Sequence, residues 1–303
     1  MSSQSPLTPT LDQPALRRNL VASSARGFVD FSRRKPLGAI GAVIVAFTLV
    51  VAIFAPLIAP SDPYQTNANE IFASPGLSNL VGTDQVGRDV FSRLIYGARI
   101  SLTVGIVSVL IGATIGSAVG VISAYFGGTT DLIIQRFLDA LIAFPGIILA
   151  MGIMAALGKA SLSNVIIALT VVFAPGAART IRSRVLSLKE VDFVLAARAV
   201  GASDWRIMFR HIVPNCMSLY IVFFSITVGF AIVVEASLSF LGVGTPPEVP
   251  SWGGMLSLAA NNYIDVAPLL AILPGLAIAL VVFGFNLLGD ALRDVLDPRL
   301  RGT

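Results

Sequence analysis

The amino-acid sequence predicts an all-α, polytopic membrane protein with six transmembrane helices, on three observations. Apolar residues make up 55% of the 303 residues and charged residues only 13%. The mean hydropathy is +0.84, so a soluble fold would have too little polar side chain to cover its surface. Long stretches carry no charge, and a helix that crosses a bilayer needs about 20 such residues.

The uncharged stretches locate the helices in order. We expect them near residues 37–59, 101–126, 139–157, 162–183, 216–241 and 266–288. Lys159 alone separates the third helix from the fourth, which predicts a short turn. A signal peptide is the alternative for the first stretch. Its 23 residues exceed the usual signal core of about 7–15 residues, so we interpret it as an uncleaved span.

The basic residues predict the orientation of these helices. Six spans place four segments on one side of the membrane: the N-terminal tail, the loop after the second helix, residues 179–210 and the C-terminal tail. These segments contain seventeen of the 21 Lys and Arg residues. Cytoplasmic loops are enriched in Lys and Arg. We therefore expect both termini in the cytoplasm. The opposite side holds Arg88, Arg93, Arg99 and Lys159.

The sequence offers no catalytic or metal-binding constellation. A single histidine, His211, and a single cysteine, Cys216, give no basis for a disulfide framework or a histidine-built site. Residues 158–160 (Gly-Lys-Ala) lack the spacing and the hydroxyl group of a phosphate-binding loop. We therefore predict no catalytic residue, no cofactor, no metal and no ATP site in this chain.

Three glycines of the second helix, Gly112, Gly116 and Gly120, recur at every fourth residue. This spacing leaves a smooth stripe on one helix face and lets another backbone approach closely. Tight helix packing is the interpretation that we favour, and a substrate groove is the alternative.

Glu235 is the one acidic residue far inside an uncharged stretch, and such a residue is a functional candidate because charges are costly in lipid. It lies 19 residues after Cys216, or about 28 Å along a helix. This distance places it near the outer interface, within reach of water. With Ser239 it is a candidate to line the pathway or to gate it, and a structural role is the alternative. No second buried acid accompanies it, as a proton relay would need.

The largest predicted cytoplasmic loop resembles a helix, a glycine turn and a second helix over residues 195–206. Ser203 is suited to cap the second helix, and Asp204 suits its positive end. An apolar stripe follows at helical spacing, formed by Trp205, Met208, Phe209 and Ile212. Such a stripe must be buried against either the membrane surface or a partner protein.

At these residues the sequence resembles the coupling loop of ABC-importer permeases, whose pattern is Glu-Ala-Ala, three residues, Gly, nine residues, Ile, one residue, Leu-Pro. The matching positions are Ala196, Ala197, Gly201 and Pro214. The sequence departs from the pattern at Leu195, His211 and Val213.

Further motifs resemble the dipeptide/oligopeptide permease family, and in particular its C-type subunit. A signature ahead of the second helix contains Gly82, Thr83, Asp84, Gly87, Arg88, Asp89, Ser92 and Arg93. Other matching motifs lie in residues 237–242, 246–253 and 285–298. The resemblance covers nearly the whole chain from residue 30.

The resemblance implies the fold of a type I ABC-importer permease. It implies a flexible cytoplasmic tail (1–36), a first helix with an extracytoplasmic loop (37–99), a permease domain (100–290) with a coupling loop near 190–215, and a cytoplasmic tail (291–303). The residues expected to couple to an ATPase are Ala196, Ala197, Gly201, Ser203, Asp204, Trp205, Met208, Phe209 and Pro214.

By the same resemblance the chain is expected to be a pore-forming subunit in the bacterial inner membrane and not an enzyme. The expected partners are a second homologous permease chain, two cytoplasmic ATP-binding subunits and an extracytoplasmic solute-binding protein, with no nucleic acid. Dipeptides or oligopeptides are the expected solutes, and glutathione, nickel or another small solute are the alternatives. The competing class is an ion-coupled secondary transporter, which would need buried ionisable groups or broken helices near the bilayer midplane.

Overall fold

The computed structural model describes residues 32, 35–77 and 79–296 of the chain. This described part contains eleven α-helices and no strand, so the predicted all-α class is confirmed. The helices are α1 (Pro36–Ile53), α2 (Ala55–Ile58), α3 (Val90–Phe126), α4 (Gly128–Ile142), α5 (Gly146–Leu157), α6 (Leu162–Leu188), α7 (Asp192–Ala199), α8 (Asp204–Ile207), α9 (Val213–Phe240), α10 (Trp252–Asn262) and α11 (Leu269–Leu296). A 3-10 turn (Ala68–Glu70) precedes α3, and a π-helix (Met208–Ile212) joins α8 to α9.

Up to six helical segments of the described chain are long and apolar enough to cross a membrane. Five qualify by themselves, namely α1, α3, α6, the run Asp204–Phe240 and α11. The sixth is formed by α4 and α5 together, which meet at a bend of 90°. The predicted multi-span architecture is therefore confirmed.

The third predicted helix, 139–157, is wrong as a single straight element. α4 ends at Ile142, and α5 begins at Gly146. Pro145 lies between them. Proline has no N–H to donate and disfavours helical geometry at the residue before it, which is Phe144 here. Counting charges does not detect this break because the sequence is apolar on both sides of it.

Other helices extend beyond their predicted ends because charged residues lie inside them. α3 begins at Val90 rather than near residue 101, so Ser92 and Arg93 belong to its first turns and not to a preceding loop. α6 continues to Leu188. α11 continues to Leu296, inside the predicted tail over 291–303. The rest of that tail (297–303), and residues 1–31, 33 and 34 of the predicted N-terminal tail, lie outside the described residues.

α3 and α6 are in direct backbone contact along the glycine stripe of α3. Cβ atoms placed on its glycines would meet the backbone carbonyl oxygens of α6, with Gly112, Gly116 and Gly120 facing Thr170, Ala174 and Ala178 in turn. At Gly112 the separation would be 2.8 Å. Small residues permit such close approach of helices in membranes, and this contact favours tight helix packing over a substrate groove.

α1 packs against α11 in a similar way. A Cβ atom on Gly41 would lie 2.7 Å from the carbonyl oxygen of Gly284. At the N-terminal end of α1, the Lys35 ammonium lies 2.6 Å from a carboxylate oxygen of Asp294. This ion pair joins the start of α1 to the last turns of α11.

α10, which the sequence did not predict, is held against α3 and α9 by a buried polar cluster around Glu235. The hydroxyl groups of Ser101 and Ser239 donate to the two carboxylate oxygens of Glu235, at 3.3 and 3.0 Å. The backbone N–H of Trp252 donates to Ser101 Oγ at 3.2 Å. Glu235 is fully buried. The expectation that water reaches it is therefore wrong, because the chain after α9 folds back and α10 packs against this end of the helix.

Gly116→Leu should destabilise the chain by about 1–3 kcal/mol or more, because the added side chain would have to displace the backbone of α6. Gly152→Leu is the matched control, since a Cβ atom on this glycine of α5 meets nothing within 4 Å. Thermal unfolding of the purified variants in detergent gives the measurement. Equal melting temperatures for the two variants would contradict a direct backbone contact between α3 and α6.

Glu235→Leu should destabilise the chain by about 1–3 kcal/mol, because the hydroxyl groups of Ser101 and Ser239 would be buried without an acceptor. Glu235→Gln keeps an acceptor oxygen and should cost less. Thermal unfolding and limited proteolysis of residues 242–251 report the change. A Glu235→Leu chain as stable and as protease-resistant as the parent would show that the cluster does not hold α10.

Candidate functional site

The coupling segment, defined here as residues 190–215, begins with α7 and a glycine turn. The N–H of Gly201 donates to the carbonyl oxygen of Arg198 at 3.0 Å, and the N–H of Ala202 donates to that of Ala197 at 3.1 Å. These two bonds form a Schellman cap, which places a left-handed residue after the helix. Gly201 has a φ of +80°. This glycine therefore sets the angle between α7 and α8.

The predicted apolar stripe of the coupling segment divides into two parts. Met208 and Ile212 are buried, whereas Trp205 and Phe209 are 60% and 64% exposed. The physical reason is the π-helix, in which the N–H of Val213 bonds to the carbonyl oxygen of Met208, five residues back. This wider turn reduces the rotation from one side chain to the next, so Met208 and Ile212 are turned away from Trp205 and Phe209. Met208 is buried but also lines the groove beside Trp205 and Phe209, so its contact with an ATPase stays a prediction.

Trp205 and Phe209 form an exposed aromatic pair. Their rings are stacked, with centroids 5.7 Å apart and an interplanar angle of 13°. The pair borders a groove of about 420 Å³ between α3 and the start of α9, which Ile122, Met217 and Tyr220 also line. An exposed apolar patch beside such a groove is typical of an interaction surface.

The buried side of the coupling segment is joined to the ends of α3 and α6. Its side chains share a hydrophobic cluster with those helices, made by Ile207, Met208, Ile212, Val121, Ala124, Ile181 and Val185. The Tyr125 hydroxyl at the end of α3 donates to Asp204 at 2.6 Å. A force applied to the exposed aromatic pair would therefore reach α3 and α6 through direct contacts.

The other predicted coupling residues lie on the surface of this segment. Ala196 is exposed, Ala197 is half-buried, and Pro214 is exposed in the first turn of α9. Ser203 occupies the N-cap position of α8, but its side chain makes no capping hydrogen bond. The side-chain cap expected from the sequence is therefore not formed.

The signature residues 82–93 form a buried polar cluster, the loop cluster, at the start of α3. Asp84 accepts hydrogen bonds from the N–H groups of Val86 and Arg88 at 3.0 Å, and from Arg88 Nε at 2.7 Å. Arg93 Nε lies 3.7 Å from the same carboxylate, and Arg93 Nη1 donates to the carbonyl oxygen of Pro63 at 3.0 Å. Both arginines are therefore bound by groups of the segment that connects α2 to α3.

The remaining signature residues complete the loop cluster. Asp89 caps α3 by accepting a hydrogen bond from the N–H of Ser92 at 2.8 Å. Thr83 Oγ1 accepts one from the N–H of Ala73 at 2.8 Å. Gly82 and Gly87 have φ values of +88° and +74°, which glycine adopts without strain. These side chains serve the fold of the loop, and their burial leaves them no surface for a partner.

Glu235 and Ser239, the candidate pathway or gate residues, lie inside the polar cluster that holds α10, and both are buried within the chain. Their burial favours the structural alternative. No group of three or more His, Cys, Asp or Glu side chains that could hold a metal ion occurs among the described residues.

Sequence reasoning missed two ion pairs that hold α4 against α6. Asp131 accepts hydrogen bonds from Arg182 Nε at 2.8 Å and Nη2 at 2.6 Å, and Asp139 pairs with Arg179. The signal that the sequence offered was the opposite charge of the aspartates in α4 and the arginines in α6. Nothing in the sequence indicates, however, that these residues are neighbours.

Two family models match the chain. The one described as the inner membrane component of binding-protein-dependent transport systems matches residues 112–302. The one described as the N-terminal transmembrane domain of oligopeptide transport permease C matches residues 32–75. Together they cover the described helices except for residues 90–111 of α3.

Curated relatives match over most of their length. The glutathione transport system permease protein GsiD of Shigella flexneri is 45% identical over 290 residues, which cover 95% of each chain. GsiD of Pectobacterium atrosepticum is 41% identical over 289 residues, again 95% of each chain. A candidate peptide transport system permease of Brucella suis is 43% identical over 262 residues, which are 86% of this chain and 88% of that relative.

Among solved structures, the MetNI methionine ABC transporter in an inward-facing conformation matches with a TM-score of 0.56 at 20% identity, over 68% of this chain and 96% of that chain. A likeness at this identity shows the fold, which is that of an ABC-importer permease. The family match and the relatives, which align over most of their length, show the family. The chain therefore belongs to the inner membrane permease components of binding-protein-dependent importers, as a multi-pass protein of the bacterial inner membrane.

Proposed function

We propose that this chain is one of two pore-forming subunits of an ATP-driven importer for short peptides, glutathione among them. The observation that carries the proposal is the exposed aromatic pair, Trp205 and Phe209, on a segment whose other side is packed against α3 and α6. Burial of an apolar side chain of this size is worth about 1.5–3 kcal/mol, so the pair favours a partner surface over water.

The partner at the aromatic pair would be one of two ATP-binding subunits. The sequence has no phosphate-binding loop of its own, so ATP hydrolysis must be supplied by other chains. A second homologous permease chain and a solute-binding protein would complete the importer. Closure of the ATPases on ATP would press on the coupling segment, and α3 and α6 would carry that movement between outward and inward access.

The proposed solute class draws on the names of the relatives. Two of them are named for glutathione and one for peptides. Glutathione is itself a tripeptide, so these names share one chemistry, a short chain of amide groups with charged ends. The broken helix formed by α4 and α5 is a feature that an ion-coupled transporter would share. That class is disfavoured instead by the family model and the relatives, which are permeases of binding-protein-dependent importers.

The proposed orientation places the coupling segment, with both termini, in the cytoplasm. Its basis is the excess of Lys and Arg on that side, 17 of 21 in the sequence. The loop cluster would then lie on the outer side of the membrane, where a solute-binding protein docks.

Gly201→Leu should abolish uptake and stimulated ATP hydrolysis while leaving the complex assembled. A left-handed φ costs other residues about 1–2 kcal/mol, so the turn would change its angle and move the aromatic pair away from its partner. Gly158→Leu is the matched control. Gly158 has a φ of +71°, and a Cβ atom on it, as on Gly201, would meet nothing within 4 Å. It lies in the turn between α5 and α6, at the end of α6 opposite the coupling segment.

The measurements are ATP hydrolysis and uptake of labelled trialanine by the reconstituted complex with its binding protein. Uptake by the parent complex without ATP or binding protein would refute the proposed function. Equal activities of the Gly201→Leu and Gly158→Leu complexes would instead show that the coupling segment does not transmit the movement.

Labelling of single cysteines should report the orientation. Ser203→Cys and Thr66→Cys, each in a Cys216→Ala chain, place a thiol at an exposed position on either side of the bundle. A membrane-impermeant thiol reagent added to spheroplasts should label Thr66→Cys at once, and Ser203→Cys only after lysis. The reverse pattern would overturn the orientation.

A further inference from the structure

The break between α4 and α5 leaves backbone polar groups without partners. Before the break, the last hydrogen bond runs from the N–H of Ala143 to the carbonyl oxygen of Asp139, and after it the first runs from Leu149 to Pro145. Among the described hydrogen bonds, none is accepted by the carbonyl oxygens of residues 140–144 or donated by the N–H groups of residues 144 and 146–148. Buried or not, such groups need a hydrogen-bonding partner.

The break lies about halfway across the membrane. A Cβ atom on Gly146, at the start of α5, would lie 3.2 Å from a side-chain carbon of Val172 in α6. Val172 is ten residues beyond Leu162, where α6 begins, which is about 15 Å along the helix. The hydrocarbon core of a bilayer is about 30 Å thick. The free backbone groups are therefore near the bilayer midplane.

The described part of the chain does not cover the break. Phe144 and Ile148 are 56% and 58% exposed, and a Cβ atom on Gly152 would meet nothing within 4 Å. Lipid offers no hydrogen bonds. Non-helical backbone at this depth is tolerated only where protein buries it or where it lines a water-filled cavity.

α1 shows, by contrast, a surface of this chain that suits lipid. Its exposed residues form an apolar stripe that includes Val43, Phe47 and Val50, and the helix from Pro36 to Ile53 is unbroken. All of its interior backbone groups are therefore satisfied within the helix. The break between α4 and α5 has the apolar side chains of such a surface but not the satisfied backbone.

We propose that the break between α4 and α5 lines the water-filled pathway of the importer, where its free backbone groups bond in turn to water and to the amide groups of the passing peptide. This inference rests on the proposed function. The uncharged side chains of residues 140–158 leave the backbone as the polar surface here. A contact made by the backbone would accept peptides with different side chains.

Cysteine accessibility in the assembled importer tests the inference. Phe144→Cys is compared with Phe47→Cys, each in a Cys216→Ala chain. Both phenylalanines are exposed, at 56% and 66%, and both lie near mid-membrane. A charged methanethiosulfonate reagent reacts with the thiolate, which forms in water and not in hydrocarbon. We expect labelling on the order of tenfold faster at position 144 than at position 47, with uptake blocked only at position 144.

Saturating trialanine should slow the labelling of Phe144→Cys and leave that of Phe47→Cys unchanged. Ile148→Cys serves as the reporter if Phe144→Cys does not assemble. ATP-dependent uptake of trialanine by the unlabelled complexes is measured first, and its absence from the parent complex would remove the proposed function itself. With uptake present, equally slow labelling at the break and at position 47 would overturn the inference and place the break against lipid or the second permease chain.

Discussion

The direct backbone contact between α3 and α6 is the interaction on which the rest of the structure depends. Glycines along α3 remove the side chains that would keep the two helices apart, so the pair forms one unit across the membrane. The loop cluster caps the first end of α3 at Asp89. The coupling segment packs on the other end, beside the last turns of α6. In the proposed importer, movement of the coupling segment would therefore be passed to both helices together.

In lipid, apolar surface gives no driving force for helices to associate, so close packing and polar contacts must hold the bundle together. This chain uses both. Backbone contacts at glycines join α3 to α6 and α1 to α11. Ion pairs join α1 to α11 and α4 to α6 at positions near helix ends. The Glu235 cluster places paired polar atoms between α3, α9 and α10. The polar atoms of the Glu235 cluster are buried, whereas the ion pair of Lys35 with Asp294 is partly exposed.

Features that depend on local composition were predictable from the sequence. Uncharged stretches located the spans, and a glycine between two helical patterns indicated the left-handed turn that Gly201 forms. Pro145 was visible too, but an apolar run of sufficient length on both sides of it was interpreted as one span. The break could be recognised only by giving the proline more weight than the hydropathy.

Features that depend on distant chain segments were not predictable. The distance of Glu235 along its helix predicts its depth in the membrane. Its access to water depends on residues 242–262, which fold back and carry no pattern that indicates this. The opposite fates of Met208 and Phe209 depend on one π-turn. Helical periodicity, which assumes a constant angle per residue, places these two side chains at the two edges of a single apolar stripe about 100° wide.

Most side chains that the sequence marked as functional are occupied by the chain's own fold. Arg88, Arg93 and Glu235 all have hydrogen-bonding partners within the chain. At mid-membrane, backbone groups of the break between α4 and α5 are left free. A pathway with this surface would distinguish little between peptide side chains, and selection would fall to the binding protein outside the membrane. Relatives between 41% and 45% identical to this chain carry names for glutathione and for peptides. Such a division of labour would let one permease architecture serve both.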